Sequence, residues 1–216
     1  MKGLKSSRLR GMFAISFFTT FLPFLIVNTF KPLGSLHSIN QTVLKVTQSG
    51  NGIVLCFMNP LFGFLADKFP TKTIMLILNV YGAVVGILQC FSLYNNVIFA
   101  ISVLMNSVLM SGAITIFTPH VMKVFTIKYS MEISGVVGFS LGFTNVLGAV
   151  FAFLVVSIFG DSKSTTPSIV GYSVGAALNV LSIFFVMKES DEVFNYDDEV
   201  VSSQEPKEEK LIEKVK

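Results

Sequence analysis

Asn59, Asn106 and Asn145 each fall near the middle of a long apolar run, where a carboxamide must find a partner or face something other than hydrocarbon. Hydroxyls recur beside them. Ser107, Ser111 and Thr115 stand four residues apart, which places them on one helical stripe next to Asn106. Ser16, Thr20 and Asn28 make a comparable stripe nearer the N-terminus. The chemistry open to such groups is hydrogen bonding without charge. Thr20, Asn59, Asn106 and Asn145 are therefore the leading candidates for contact with a polar solute, with Ser107 and Ser111 behind them. The competing assignment for each is interhelical hydrogen bonding, a common use of small polar side chains between membrane helices. Covalent chemistry has no support, because no Ser/His/Asp set, metal-ligand spacing or phosphate loop is recognisable. No enzymatic activity, bound metal or cofactor is expected. Cys56 and Cys90 both sit in apolar runs and read as small hydrophobes.

The elements that must position these residues are membrane spans. Of 216 residues 52% are hydrophobic and only 13% charged, and the mean hydropathy is +0.70, more apolar surface than a soluble domain could cover. Between Gly11 and Val186 only ten charges occur, all between or at the ends of apolar runs. Six spans are expected, at about 12–30, 52–66, 74–91, 97–117, 133–159 and 169–187, with a start several residues earlier as the alternative for the second. The positive charges are dispersed over loops and form no basic face, so the net charge of +3 does not point to nucleic acid. Its meaning is topological: nine basic residues near the spans fall on one side (Lys2, Lys5, Arg8, Arg10, Lys68, Lys72, Lys123, Lys128, Lys188) and three on the other (Lys31, Lys45, Lys163). That asymmetry predicts both ends in the cytosol. The first span lacks a small-residue cleavage site and is expected to remain as an anchor.

This divides the chain into a basic cytosolic segment, 1–10, a membrane domain, 11–187, and a charged tail, 188–216. The tail holds ten of the thirteen acids and too few apolar residues to fold, so disorder is expected there. The predicted outer loop, 31–50, contains the glycosylation sequon Asn40-Gln41-Thr42, which lies close to the membrane. His120, beside Pro119, reads as a residue of the inner rim.

The link between the second and third spans is GFLADKFPTKT, Gly63 to Thr73. Gly63, Asp67, Lys68 and Lys72 match the signature loop Gly-x-x-x-Asp-Arg/Lys-x-Gly-Arg-Arg/Lys of the major facilitator superfamily, which the chain resembles. Pro70 and Thr71 stand where that pattern usually has Gly and Arg. Asp67 is suited to meet a helix N-terminus, where unpaired amides favour an anion. The stretch from Ile116 to Gly142 is similar to oxalate/formate antiporter-like, nodulin-like and monocarboxylate carriers, through Pro119, Phe125, Lys128 and Gly135. A departure is Asn59 before Pro60, where monocarboxylate carriers commonly have Arg.

The resemblance implies an all-α membrane protein whose six transmembrane helices form a 3+3 inverted-repeat half of a major facilitator fold, the C-terminal half by similarity. It implies secondary transport of a small solute, for instance an organic anion, by alternating access, with the Asp67 loop as a gate. Spans one and four would line the cavity and be the wettest, and spans three and six, with Asn79 and Asn179, would lie outside. The expected partners are the solute, the lipid bilayer and a second six-helix half or a second copy. Gly82/Gly86, Gly138/Gly142 and Gly171/Gly175 read as sites of close helix approach. The rivals are a non-transporting scaffold subunit and a six-helix channel.

Overall fold

The computed structural model describes residues 7–124, 127–159 and 166–188, and among them every element is α-helical. The helices are α1 (Ser7–Leu36), α2 (Gln41–Lys68), α3 (Thr71–Ser92), α4 (Asn96–Val124), α5 (Ile127–Phe159) and α6 (Thr166–Lys188). Each is long and apolar enough to cross a bilayer, which takes about 20 residues. The basic start of the chain through Lys5, Lys163 in its loop and the charged tail beyond Lys188 lie outside the described residues, as do the side chains of Arg8, Phe125 and Lys128.

The helices overrun the apolar stretches because flanking polar residues can continue a helix into the headgroup region. The largest difference is at α2, which starts at Gln41 and takes in much of the expected outer loop. Asn40 caps it, its side chain accepting from the Thr42 N–H at 2.8 Å. Lys45 is consequently part of a spanning helix, exposed one turn inside its N-terminal end, where a long side chain can reach water. The turn before it holds Ser38 at a φ of 59° and carries His37, whose Nε2 is buried without a hydrogen-bond partner among the described residues.

Desolvation lowers the His37 pKa below its ordinary 6.5. The unfolded chain then binds a proton more readily than the folded turn, so stability rises with pH through this range and is lost as pH falls below about 6.5. We expect the amide protection factors of the turn, taken relative to the intrinsic exchange rate at each pH, to be lower at pH 5.5 than at pH 7.5. In His37→Gln that difference should shrink.

The packing follows an inverted repeat. The first helix of each set of three crosses to the other set, with α1 lying against α5 and α6 and α4 against α2 and α3. This gives a front row in the order α2, α4, α1, α5, with α3 and α6 paired behind its centre. Buried residues concentrate on α1 and α4 (Met12, Ile15, Leu22, Leu25, Ile26, Val103, Leu109 and Ile116), whereas α2 and α5 form the edges and are the least covered. The expectation that the first and fourth spans be wettest is therefore not met within this unit. Each is enclosed by neighbours from both repeats.

Glycines mark where these crossings are tight. A Cβ on Gly86 would lie 2.7 Å from the Cβ of Ala176 and 3.1 Å from Leu22, and one on Gly82 would run into Asn179 Oδ1. Gly171 and Gly175 likewise admit Phe151 and Leu22. Gly138 and Gly142 depart from the expectation: among the described residues nothing lies within 4 Å of either added Cβ, because their side of α5 is the open edge of the front row.

Candidate functional site

Two polar seams run along the front row. In the first, between α2 and α4, the hydroxyl of Ser111 donates to Asn59 Oδ1, and Thr115 donates to the same oxygen at 3.3 Å. Further along, Ser107 reaches Asn51 Oδ1 and the Val103 carbonyl; its single proton serves one of them at a time. Ser107 and Ser111 are fully buried, whereas Asn59 is exposed. Asn51 was not singled out from the sequence. The signal that could have found it is its eight-residue interval to Asn59, which repeats the interval from Ser107 to Thr115 on the parallel partner helix.

The second seam joins α1 and α5. Asn28 Nδ2 donates to Asn145 Oδ1 at 3.0 Å, and also to the Phe24 carbonyl at 2.9 Å and the Asn145 carbonyl at 3.3 Å. Asn145 is exposed. The two seams are repeat equivalents: one displacement along the chain, constant to within one residue, carries Asn59 onto Asn145 and Asn28 onto Thr115. In each case an amide on a second helix receives its bond from the first helix of the other repeat.

Thr20 and Asn106 belong to neither seam. Thr20 is buried and turns its hydroxyl back to the Ser16 carbonyl at 2.7 Å, leaving phenylalanines 17, 21 and 24 among the partly exposed residues of α1. Asn106 is buried between α4 and α1, donating to the Pro23 carbonyl at 3.2 Å, with its Oδ1 buried and unpartnered among the described residues. Its oxygen is an unmet acceptor, although it has no exposed surface through which a solute could reach it.

A third polar group ties α1 to the rear pair. Thr19 donates to Asn79 Oδ1 at 3.0 Å and lies 3.0 Å from the Ser182 hydroxyl, while Thr29 and Tyr172 are 2.9 Å apart. Asn179 bonds back to the Gly175 carbonyl at 3.0 Å. Asn79 thus serves as interhelical glue, the assignment its position favoured.

At the C-terminal end of α2, the α2–α3 link is a two-residue turn. The N–H of Phe69 donates to the Leu65 carbonyl at 2.9 Å, and Pro70 precedes α3 without a side-chain cap. Lys123, at the end of α4, donates to the Ala66 carbonyl, placing a cation at the negative end of the α2 dipole. The Lys68 ammonium lies 4.4 Å from the centroid of the Phe64 ring. Asp67 is exposed, and its carboxylate has no hydrogen-bond or ion-pair partner among the described residues. A Cβ added to Gly63 would lie 4.0 Å from Thr115 Cγ2, an ordinary contact, so its lack of a side chain is not required by packing here. Lys72 is half-buried in the first turn of α3. A cavity of about 170 Å³ opens between this turn and α4, lined by Pro70, Thr71, His120, Lys123 and Val124. His120 is only 4% exposed, so it is enclosed against the loop and is not an open rim residue.

Six apolar helices, crossed between two inverted sets and carrying amides on their open edges, define a multi-pass integral membrane protein with the architecture of a transporter half. The model of the Major Facilitator Superfamily matches residues 12–212, and the chain belongs to that superfamily of membrane transporters. No curated protein matches the chain.

Proposed function

We propose that the chain is one six-helix half of a secondary active transporter, which moves a small solute across the membrane by alternating access. A second six-helix unit, either a distinct half or a second copy, closes the cavity over the front row. The observation that carries this reading is the pair of exposed amides at the open edges. Asn59 stands about 14 Å of helix from Lys68 and about 27 Å from Gln41, and Asn145 about 27 Å from Ile127, so neither reaches the headgroups. Facing acyl chains, such groups would be strongly disfavoured. A solvated cavity or a partner surface removes that penalty.

The resemblance to oxalate/formate and monocarboxylate carriers supports small organic anions as the solute class. The test is counterflow in proteoliposomes containing the full chain. Vesicles preloaded with unlabelled lactate or oxalate should transiently accumulate the labelled solute, because a carrier exchanges one molecule for another through a single site. Equilibration without overshoot, accompanied by ionic current, would identify a channel.

A further inference from the structure

Along its length α2 presents three faces, and only one of them is made for lipid. Leu44, Thr47, Phe62 and Ala66 are buried, on the side where α2 meets α4. Val46, Ile53, Phe57, Leu61 and Phe64 are exposed and apolar, and at 3.6 residues per turn they share an arc of about 80° on another side. Gln41, Lys45, Gln48, Gly52, Cys56 and Asn59 are exposed as well, and they share a separate arc of about 80°, which adjoins the α4 seam through Asn59. Over about 27 Å of helix this third face carries amides, a thiol and a lysine, and no large apolar side chain. Against acyl chains it would be strongly disfavoured, and the same helix has another face suited to them.

Lys45 is the one charge on the polar arc, and it has no hydrogen-bond or ion-pair partner among the described residues. The repeat does not require it. The displacement that carries Asn59 onto Asn145 carries Gly52 and Cys56 onto Gly138 and Gly142, but Lys45 onto Met131.

We propose that this arc of α2 is a water-filled wall of the solute path, and that Lys45 sets the sign of the charge the path admits from the N-terminal end of the helix. A fixed ammonium between low-dielectric walls draws anions towards it and repels cations over roughly a Debye length, about 10 Å at 0.1 M salt, whatever other groups the solute carries. Cys56, about 16 Å of helix further along, is then a thiol in contact with water and not the small hydrophobe that its apolar run suggests. The assignment rests on the transporter reading above and adds to it which helix is wet and which residue discriminates.

The test labels thiols of the full chain in nanodiscs, in a Cys90→Ser background, with two methanethiosulfonates of similar size, one bearing a sulfonate and the other a trimethylammonium group. The substituted positions on α2 are all exposed, so the fold is retained. Cys56 should react with both reagents. In Cys56→Ser, Gly52→Cys should react too, since no described atom lies within 4 Å of a Cβ added there. Phe57→Cys, at the depth of Cys56 but on the apolar arc, should stay unlabelled. At Gly52→Cys, about 10 Å of helix from Lys45, adding Lys45→Gln should lower the ratio of sulfonate to trimethylammonium labelling rates about fivefold at low salt, and high salt should abolish the difference. Lys31→Gln, which removes a charge near the end of α1 that leads into α2, should change that ratio less than about twofold. Labelling of Phe57→Cys as fast as that of Cys56, or no labelling of either Cys56 or Gly52→Cys, would overturn the wet wall, the second in favour of a helix packed on the arc. A ratio unmoved by Lys45→Gln, or moved as far by Lys31→Gln, would overturn the role of Lys45. Counterflow persisting through any of these results would leave the transporter reading standing. Labelling as expected in a chain without counterflow would remove that reading, and the solute path with it.

Discussion

Gly86→Val should lower the melting temperature of the chain markedly. Even the first carbon of the new side chain would sit 2.7 Å from the Cβ and 3.2 Å from the Cα of Ala176, and the second of these is backbone that no rotamer change can move away. Leu22 closes the site from α1 at 3.1 Å. The variant must therefore part α3 from α6, the pair that backs the front row, at a cost of about 3 kcal/mol, the upper end of overpacking penalties. Thermal unfolding and monodispersity in detergent measure it. Gly138→Val provides the contrast, because a side chain there enters open space and the melting temperature of the chain should hold. If both variants melt together, the close α3–α6 crossing is wrong.

Asp67→Asn should do the reverse, sparing the fold and impairing transport. Asp67 lies in the last turn of α2, where the helix dipole disfavours an anion by about 0.3–1 kcal/mol. It is exposed and has no partner in the described chain that would repay this. Removing the charge should leave the melting temperature unchanged or slightly raised. If the carboxylate engages a helix end in only one state of the cycle, neutralising it shifts the balance between states, and the uptake rate should fall about tenfold or more. Uptake equal to that of the wild-type chain would exclude a gating role for this loop.

How much of this was legible in the sequence depends on the kind of contact. The six spans were, because an apolar run of about 20 residues has few alternatives. Their ends were not: Asn40, Gln41 and Thr42 look like loop until the Asn40 side chain is seen to cap α2. Glycine spacing identified Gly82 and Gly86 as sites of close approach and suggested the same for Gly138 and Gly142, since spacing does not say which side of a helix has a neighbour. The polar stripe on α4 was found by periodicity, yet its burial and its partners on α2 depend on the crossing of the repeats. The correspondence of Asn59 with Asn145 escaped notice because different residue types, Thr115 and Asn28, serve the same purpose opposite them. The placing of Asp67, Lys68 and Lys72 around a short turn was readable directly, as spacing there is a local property.

The crossing of α1 over to α5 and α6 also constrains how the protein is made. Asn28 and its partner Asn145 are separated by 117 residues. At ordinary rates of translation, roughly ten seconds pass between the appearance of one and the other at the ribosome. During that interval α1, with its buried-to-be Ser16, Thr19 and Thr20, is without α5 and α6, the neighbours against which it packs most. The α1–α5 seam can therefore close only after α5 has been made, and until then the polar face of α1 must be satisfied by other partners.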